Sequence, residues 1–474
     1  MLLVLHHHHH LLQTRVVAFS NKAARTLRLG NPFNLRMPQS TQPSPNTLKR
    51  SLDHLEDADT SNKPNKAPKL YSIFTKISDS QQSSTFSWAP SLGPQKTCLH
   101  GTNLSPEPRP KIAAFDLDGC VIVSSHGAKS PKGKSQAPSF QWWRPVVPKK
   151  LKQAHDEGYA IVIISNQALR GSDAIKQWKQ KIPLIVRQLP DVPFYLFAAI
   201  AKDGYRKPIP GMWYELERLF AEKNVYIDKA ASVFVGDAAG RKGDFAGTDR
   251  KWALNVDIPF STPEEYFLNL PAAPYSLKGF HPSSLPSNLP RITPTSTPLI
   301  RETQASPEIV LFVGMPALGK SSFYRKHFQP ADYVHVNQDT LKTRPKCVKV
   351  VEETVAAGQS CVVDNTNRDV ATRKYYVDVA KKHGATIRCV LFNGSIELAW
   401  HNNLYRAFNM LPNVTSKEVK RELVPYSAFL SFQKDYEEPT LAEGFSEIKR
   451  VNWVFEGSEE ERARWNMWIQ IDGQ

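Results

Sequence analysis

Two short stretches of this chain carry residue types at spacings that can handle phosphate. In Asp116-Leu117-Asp118-Gly119 two carboxylates stand two residues apart, so one can attack a phosphorus atom while its neighbour manages the proton of the leaving oxygen. In Gly314-Met-Pro-Ala-Leu-Gly319-Lys320-Ser321 the glycines let successive backbone N–H groups surround nucleotide phosphates. Lys320 can bridge the outer phosphates, Ser321 can ligate Mg²⁺, and Ser322 continues the same turn. One stretch suits the removal of phosphate and the other its addition.

Each stretch has partners further along. Ser165 closes an apolar run, Lys207 sits in Tyr-Arg-Lys-Pro, and Asp237 follows Ser232-Val-Phe-Val-Gly. A hydroxyl and an ammonium can hold phosphoryl oxygens, and Asp237 joins Asp116 and Asp118 in an all-oxygen Mg²⁺ site. Taken alone, Asp-x-Asp-Gly also reads as an acidic turn at the end of a strand. In the second half Asp339, after Val336-Asn-Gln, is placed to act as general base toward a hydroxyl, or else closes the strand as an Asx turn. Asp364-Asn365-Thr366-Asn367 can contact a ribose or phosphate or cap a helix. Arg406 is either a lid cation on the transferred phosphoryl or an exposed helical arginine.

These residues need strand tips to hold them, and the hydrophobic pattern supplies strands. Apolar runs at Ile112 to Leu117, Ala160 to Ser165, Phe194 to Ala199 and Ser232 to Gly236 alternate with helical stretches such as Pro148 to Glu157 and Gly211 to Lys223. The runs Ile309 to Val313, Tyr333 to Asn337, Ser360 to Asp364 and Ile387 to Asn393 repeat the pattern. The expected fold class is therefore α/β: two α/β domains with mainly parallel sheets, each with its site at the carboxyl ends of the strands. Pro282, Pro286, Pro290, Pro294 and Pro298 mark an extended linker over 271–306, dividing a first domain at 106–270 from a second at 307–474.

Residues 1–95 lack periodic apolar faces and are read as a disordered tail. Its first fifty-two residues hold no Asp or Glu but carry Arg15, Lys22, Arg25, Arg28, Arg36, Lys49 and Arg50, the pattern of a mitochondrial transit peptide. Lys49-Arg50 and Lys63 to Lys69 form a spaced basic pair suited to a nuclear address, or plain solvated charge. The histidine run at 6–10 takes no part in the site reasoning. The 474 residues carry a net charge of +16, which suits a polyanionic partner. No stretch of eighteen apolar residues occurs, so no membrane span and no membrane partner are expected, and five cysteines without a CxxC pair argue for a reducing compartment and against a structural zinc site.

The first set, in its order along the chain, resembles the haloacid-dehalogenase phosphatase superfamily. Val235-Gly-Asp-Ala-Ala-Gly-Arg241, Asp244-Phe245, Asp249-Arg250, Thr262-Pro-Glu-Glu-Tyr-Phe267, Asp364-Asn-Thr-Asn and Pro439-Thr-Leu-Ala-Glu-Gly-Phe445 extend the likeness. From about Pro110 onward the chain resembles the eukaryotic bifunctional polynucleotide kinase 3′-phosphatases, in a form without a forkhead-associated domain. The resemblance implies that Asp116 forms an aspartyl-phosphate, Asp118 is the general acid and base, and Ser165, Asn166 and Lys207 bind phosphate, with Asp244 and Asp249 in support. It implies ATP bound over Gly314 to Ser322, and 5′-hydroxyl ends held near Asp364, Asn365 and Asn367. It also implies a monomer acting on DNA strand-break ends in the nucleus, with a mitochondrial pool left open and repair scaffold proteins and a ligase as partners. RNA end healing and a weakened DNA-end adaptor remain the alternatives. Cys120, where the superfamily usually has Thr, and Leu404, at a lid position often basic in relatives, are the departures that favour the adaptor.

Overall fold

A computed structural model of the chain describes residues 84–123, 139–286, 288–301, 306–412 and 422–471. The chain divides into Met1–Ser78 and Asp79–Gln474, and every described residue lies in the second unit. The tail's targeting patterns therefore fall outside the described residues.

The first sheet contains β1 (Phe86–Leu92), β2 (Cys98–Asn103), β3 (Ile112–Phe115), β4 (Ala160–Asn166), β5 (Phe194–Ala199), β6 (Val233–Val235) and β7 (Phe260–Ser261), in the order β1-β2-β5-β4-β3-β6-β7. From β5 to β7 every pairing is parallel, whereas β1 and β2 add an antiparallel edge. Helices α1 (Val147–Asp156), α2 (Gly171–Arg187), α3 (Gly211–Ala221), α4 (Thr248–Val256) and α5 (Pro263–Leu268) connect the strands. Alternate residues of one strand feed opposite cores. Ala113 and Phe115 pack with Trp178 and Ile182 of α2, while Ile112 and Ala114 pack with Trp213 of α3 and Trp252 of α4. Burial on both faces is what makes the central strands unbroken apolar runs rather than alternating ones.

The second sheet has the order β10-β11-β9-β12-β13-β8, built from β8 (Ile292–Thr293), β9 (Glu308–Val313), β10 (Val334–Val336), β11 (Cys361–Val363), β12 (Thr386–Asn393) and β13 (Ile448–Asn452). All its pairings are parallel except β13 with β8. Its helices are α6 (Lys320–Phe323), α7 (Gln338–Leu341), α8 (Arg344–Ala356), α9 (Val370–His383), α10 (Ile396–Leu404), α11 (Tyr426–Lys434) and α12 (Glu459–Trp465). The molecule is thus two mainly parallel α/β sheets in series, as the hydrophobic pattern indicates.

Two boundaries differ from the sequence reading. The tail does not extend to residue 95, because Phe86–Leu92 is an edge strand paired with β2 alone. An edge strand buries only part of one face and tolerates Pro90, so it shows no apolar run. The first domain accordingly starts near residue 84 rather than 106. The segment 271–306 is not a free tether either: Ile292 and Thr293 pair with Val451 and Arg450 of β13, and Phe280, Leu285, Leu299 and Ile300 cover the second core. Its prolines prevent a long element, but the apolar residues between them still have a surface to bury against.

Candidate active sites

In the first sheet four strand ends converge. Asp116 leaves β3 with its backbone N–H bonded to the Val235 carbonyl at 2.8 Å, and Lys207 follows β5 in a fully buried position. The Lys207 ammonium donates to Asp116 Oδ1 at 2.5 Å, to the Ile164 carbonyl at 2.9 Å, and lies 2.8 Å from Asp249 Oδ1. Burial works to lower the Lys207 pKa, yet the two carboxylates outweigh it and raise it. The Asp116 carboxyl is pushed well above its ordinary range, first by burial and then by Asp249 and Asp237, against the pull of Lys207. Asp237 is likewise raised to about 7 by burial and by Asp249.

Carboxylate oxygens of Asp116, Asp237 and Asp249 lie within 4.8 Å of one another. Three crowded carboxylates, all offering oxygen, fit a hard divalent cation. Gly119 has φ 97°, and a Cβ there would come within 2.3 Å of Asp237 Oδ2, so the turn after the two aspartates admits only glycine.

Asp118 is not in this cluster. Its carboxylate accepts from Gln167 Nε2 at 2.7 Å and faces Lys181 Nζ of α2 at 3.5 Å, so Asp249 takes the third place expected of Asp118. Ser165 is buried, and its Oγ accepts from the same Gln167 amide at 2.8 Å. The Asn166 Nδ2 donates to the Lys207 carbonyl and its Oδ1 accepts from the Lys207 N–H, which holds the lysine loop. Asp244 stands apart from the cluster, accepting from Arg241 and from Ala239 N–H, and shapes the loop after Asp237. The Cys120 thiol is buried and donates to the Val235 carbonyl at 3.4 Å, so this position braces β6. Sequence reasoning missed Gln167 and Lys181. Gln167 stands two residues after Ser165 at a strand tip and was findable; Lys181, on a helix with many lysines, gave no signal.

In the second sheet the glycine-rich loop leaves β9 and enters α6. Gly314 has φ 152°, with Phe392 so close that a Cβ would lie 2.9 Å from its side chain, and Gly319 takes the left-handed conformation at φ 83° before the helix. Lys320 is buried and donates to the Gly314 and Met315 carbonyls at 2.9 and 2.6 Å. Burial lowers its pKa to about 8. A cavity of about 360 Å³ is lined by Lys320, Ser321, Asp339, Asp364, Asn365 and Arg406. Asp364 is buried against Ser321 and His335; burial works to raise its pKa, but their hydrogen bonds and the Lys320 charge together hold it below the usual range.

Asp364 therefore lies beside Ser321 and Lys320 in the cavity. Asn337 performs the Asx role considered for Asp339: its Oδ1 accepts from Asp339 N–H at 2.8 Å, and the Asp339 carboxylate lines the cavity. Asn365 Oδ1 accepts from Gln338 N–H at 2.8 Å and fixes that turn. Asn367 is buried and donates to the Phe312 carbonyl at 2.7 Å, so it ties β9 to the loop after β11. Arg373 braces the same turn, donating to the Asn367 carbonyl and pairing with Glu443 of the Pro439 to Phe445 stretch at 2.7 Å.

Arg406 lies on the π-helical turn Tyr405–Asn409 after α10 and borders both this cavity and a second of about 260 Å³. The second is walled by Gly319, Ser322, Phe323, Trp453 and Phe455, flat apolar sides beside the glycine-rich loop that suit a nucleobase. Leu404 is fully buried among Ile209, Ile469 and Ile471; it faces a core, not the nucleotide, and its lack of charge removes nothing from the lid.

Residues 111–267 match a family model described as polynucleotide kinase 3 phosphatase, and residues 342–429 match an AAA domain. A bifunctional polynucleotide phosphatase/kinase of Schizosaccharomyces pombe is 37% identical over 76% of this chain and 83% of its own length. A relative from Acanthamoeba polyphaga mimivirus is 30% identical over 75% of this chain and 87% of its own. A polynucleotide 3′-phosphatase of Arabidopsis thaliana is 35% identical over 35% of this chain and 25% of its own.

Proposed function

The chain belongs to the family of bifunctional polynucleotide phosphatase/kinases and is both a phosphatase and a kinase, and we propose that it processes the ends of DNA strand breaks for repair. The observation that carries this reading is the pair of complete sites on one chain, a carboxylate cluster around Lys207 and a glycine-rich loop facing Asp339.

At a 3′-phosphate, Asp116 attacks phosphorus, the bond to the 3′-oxygen breaks, and Asp118 donates the proton that oxygen needs. Asp118 then takes a proton from the water that hydrolyses the aspartyl-phosphate, freeing inorganic phosphate and the Asp116 carboxylate. Ser165 and Lys207 hold the phosphoryl oxygens, and Gln167 keeps Asp118 aimed. Asp116, Asp237 and Asp249 would hold a divalent cation such as Mg²⁺, which would supply positive charge against the charge of the transferring group.

At a 5′-hydroxyl, Asp339 takes the proton as the oxygen attacks the γ-phosphorus of ATP and ADP departs. Lys320 and Arg406 offset the charge spread over the γ-phosphoryl, and Ser321 with Asp364 would hold the nucleotide's Mg²⁺. The net charge of +16 supports a nucleic-acid substrate, and Lys49-Arg50 with Lys63 to Lys69 supports a nuclear site of action beside scaffold proteins and a ligase.

The test is a nicked duplex with 3′-phosphate and 5′-hydroxyl ends. Without ATP only the 3′-phosphate should disappear; with ATP the 5′-end should also gain phosphate. Asp116→Ala should abolish the first change and keep the second, and Lys320→Ala should do the reverse. Loss of both activities in either folded variant defeats the two-site assignment, and faster turnover of matched RNA ends defeats the DNA reading.

A further inference from the structure

Lys207 runs directly into Pro208 and Ile209, and this stretch is tied to the far end of the chain. Asn255, in the last turn of α4, donates through Nδ2 to the Pro208 carbonyl at 2.8 Å and to the Trp468 carbonyl at 2.6 Å, while its Oδ1 accepts from Trp468 N–H at 2.8 Å. Both amide protons and the oxygen are engaged, which fixes the side chain in one orientation. Asp249, at the opposite end of α4, grips the Lys207 ammonium. One helix thus holds the lysine by its charge and the next residue by its carbonyl, and the second grip is closed by the backbone that follows α12.

That backbone is anchored at further points. Ile209 is buried with Ile469, Ile471 and Leu404. Lys251, one turn before Asn255, sets its ammonium 4.7 Å from the centre of the Trp468 ring, and Arg464 lies 4.5 Å over the Tyr214 ring of α3. The same small core includes Tyr405 and Phe408 from the turn that carries Arg406.

We infer that Asn255 and the segment Arg464–Ile471, which follows the kinase sheet in the chain, are positioning elements for the phosphatase, holding the Lys207 loop in register with Asp116. The inference rests on the reading of Lys207 as the residue that holds the phosphoryl group. Interdomain adhesion alone would make loss of the contacts lower the stability of the whole chain and both activities in parallel. Positioning instead makes it lower turnover at one site, because an ammonium displaced by a fraction of an ångström still attracts the substrate but no longer meets the transition state.

The experiment uses the full chain with Asn255→Ala, Asn255→Asp and Ile469→Ala, measuring 3′-phosphatase kcat and KM, 5′-kinase kcat and the melting midpoint. Asn255→Ala should lower phosphatase kcat about tenfold or more with KM little changed and kinase kcat as in the wild type. Asn255→Asp, which keeps the acceptor for Trp468 N–H, should fall between the two. Ile469→Ala, at a site remote from the phosphate, should shift phosphatase kcat in the same direction. Wild-type phosphatase turnover in Asn255→Ala, or parallel losses of both activities and of melting midpoint in all three variants, overturns the inference. A wild-type chain with no 3′-phosphatase activity overturns the proposed function itself and the inference with it.

Discussion

Around Lys207 three buried or part-buried carboxylates, those of Asp116, Asp237 and Asp249, meet one ammonium. The excess is two negative charges, the charge of one divalent cation; burial first, and then the neighbouring carboxylates, push the Asp116 and Asp237 carboxyls above their ordinary range. Under the proposed metal site Asp249 serves both partners, so Asp249→Asn would remove a lysine contact and a ligand of the divalent cation together. The expected outcome is a fall in 3′-phosphatase turnover of about a hundredfold and a rise in the Mg²⁺ concentration needed for half-maximal rate, with the kinase unaffected. Mg²⁺ titration of the variant checks it, and an unshifted midpoint would remove Asp249 from the metal site. The sequence shows Asp116, Asp118 and Asp237 directly, since each stands at the tip of an apolar strand. It does not show that Asp118 turns toward Gln167 while Asp249 turns inward, because that depends on α4 folding back beneath β6 so that Ala238 N–H meets Asp249 Oδ2 at 3.0 Å.

At the scale of single elements, α10 is sensitive to acid through a histidine it buries. His401 has no accessible surface, bonds through Nε2 to the Trp465 carbonyl at 2.7 Å, and packs edge-on against the rings of Phe280 and Trp465. Burial lowers its pKa to about 4, with His281 as the charged neighbour that adds to the effect, opposed by the Trp465 bond. The folded chain keeps this ring neutral while the unfolded chain protonates it near pH 6.5, so stability is intact above that pH and declines as pH falls toward 4. Between pH 7 and pH 5 the loss amounts to about 2 kcal/mol. His401→Gln, which can still donate to Trp465, should show a melting midpoint less dependent on pH across this range. Equal acid sensitivity in wild type and variant would assign the loss to other groups. Elements also mark where sequence reading fails. The central strands are legible because both faces are buried, whereas β1 is an edge strand that buries only part of one face and β8 is a two-residue edge strand whose pairing partner lies far away in the chain.

Across the whole molecule, two sheets carry their sites at strand ends, and both sites answer to one kind of polymer. The net charge is +16, of which the seven cations among the first fifty-two residues account for seven, leaving +9 on the remainder. A polynucleotide that meets such a surface releases condensed counterions, so its binding weakens steeply as salt rises. A small phosphate ester carries no such atmosphere and reports the chemistry of Asp116 and Lys207 alone. Raising monovalent salt from about 50 to 200 mM should therefore lower kcat/KM for 3′-dephosphorylation and 5′-phosphorylation of an oligonucleotide by about tenfold or more, through KM. Hydrolysis of p-nitrophenyl phosphate by the same preparation should change little. Comparable losses on both substrates would mean that salt perturbs the site itself, and that the excess positive charge plays no part in gathering the polymer.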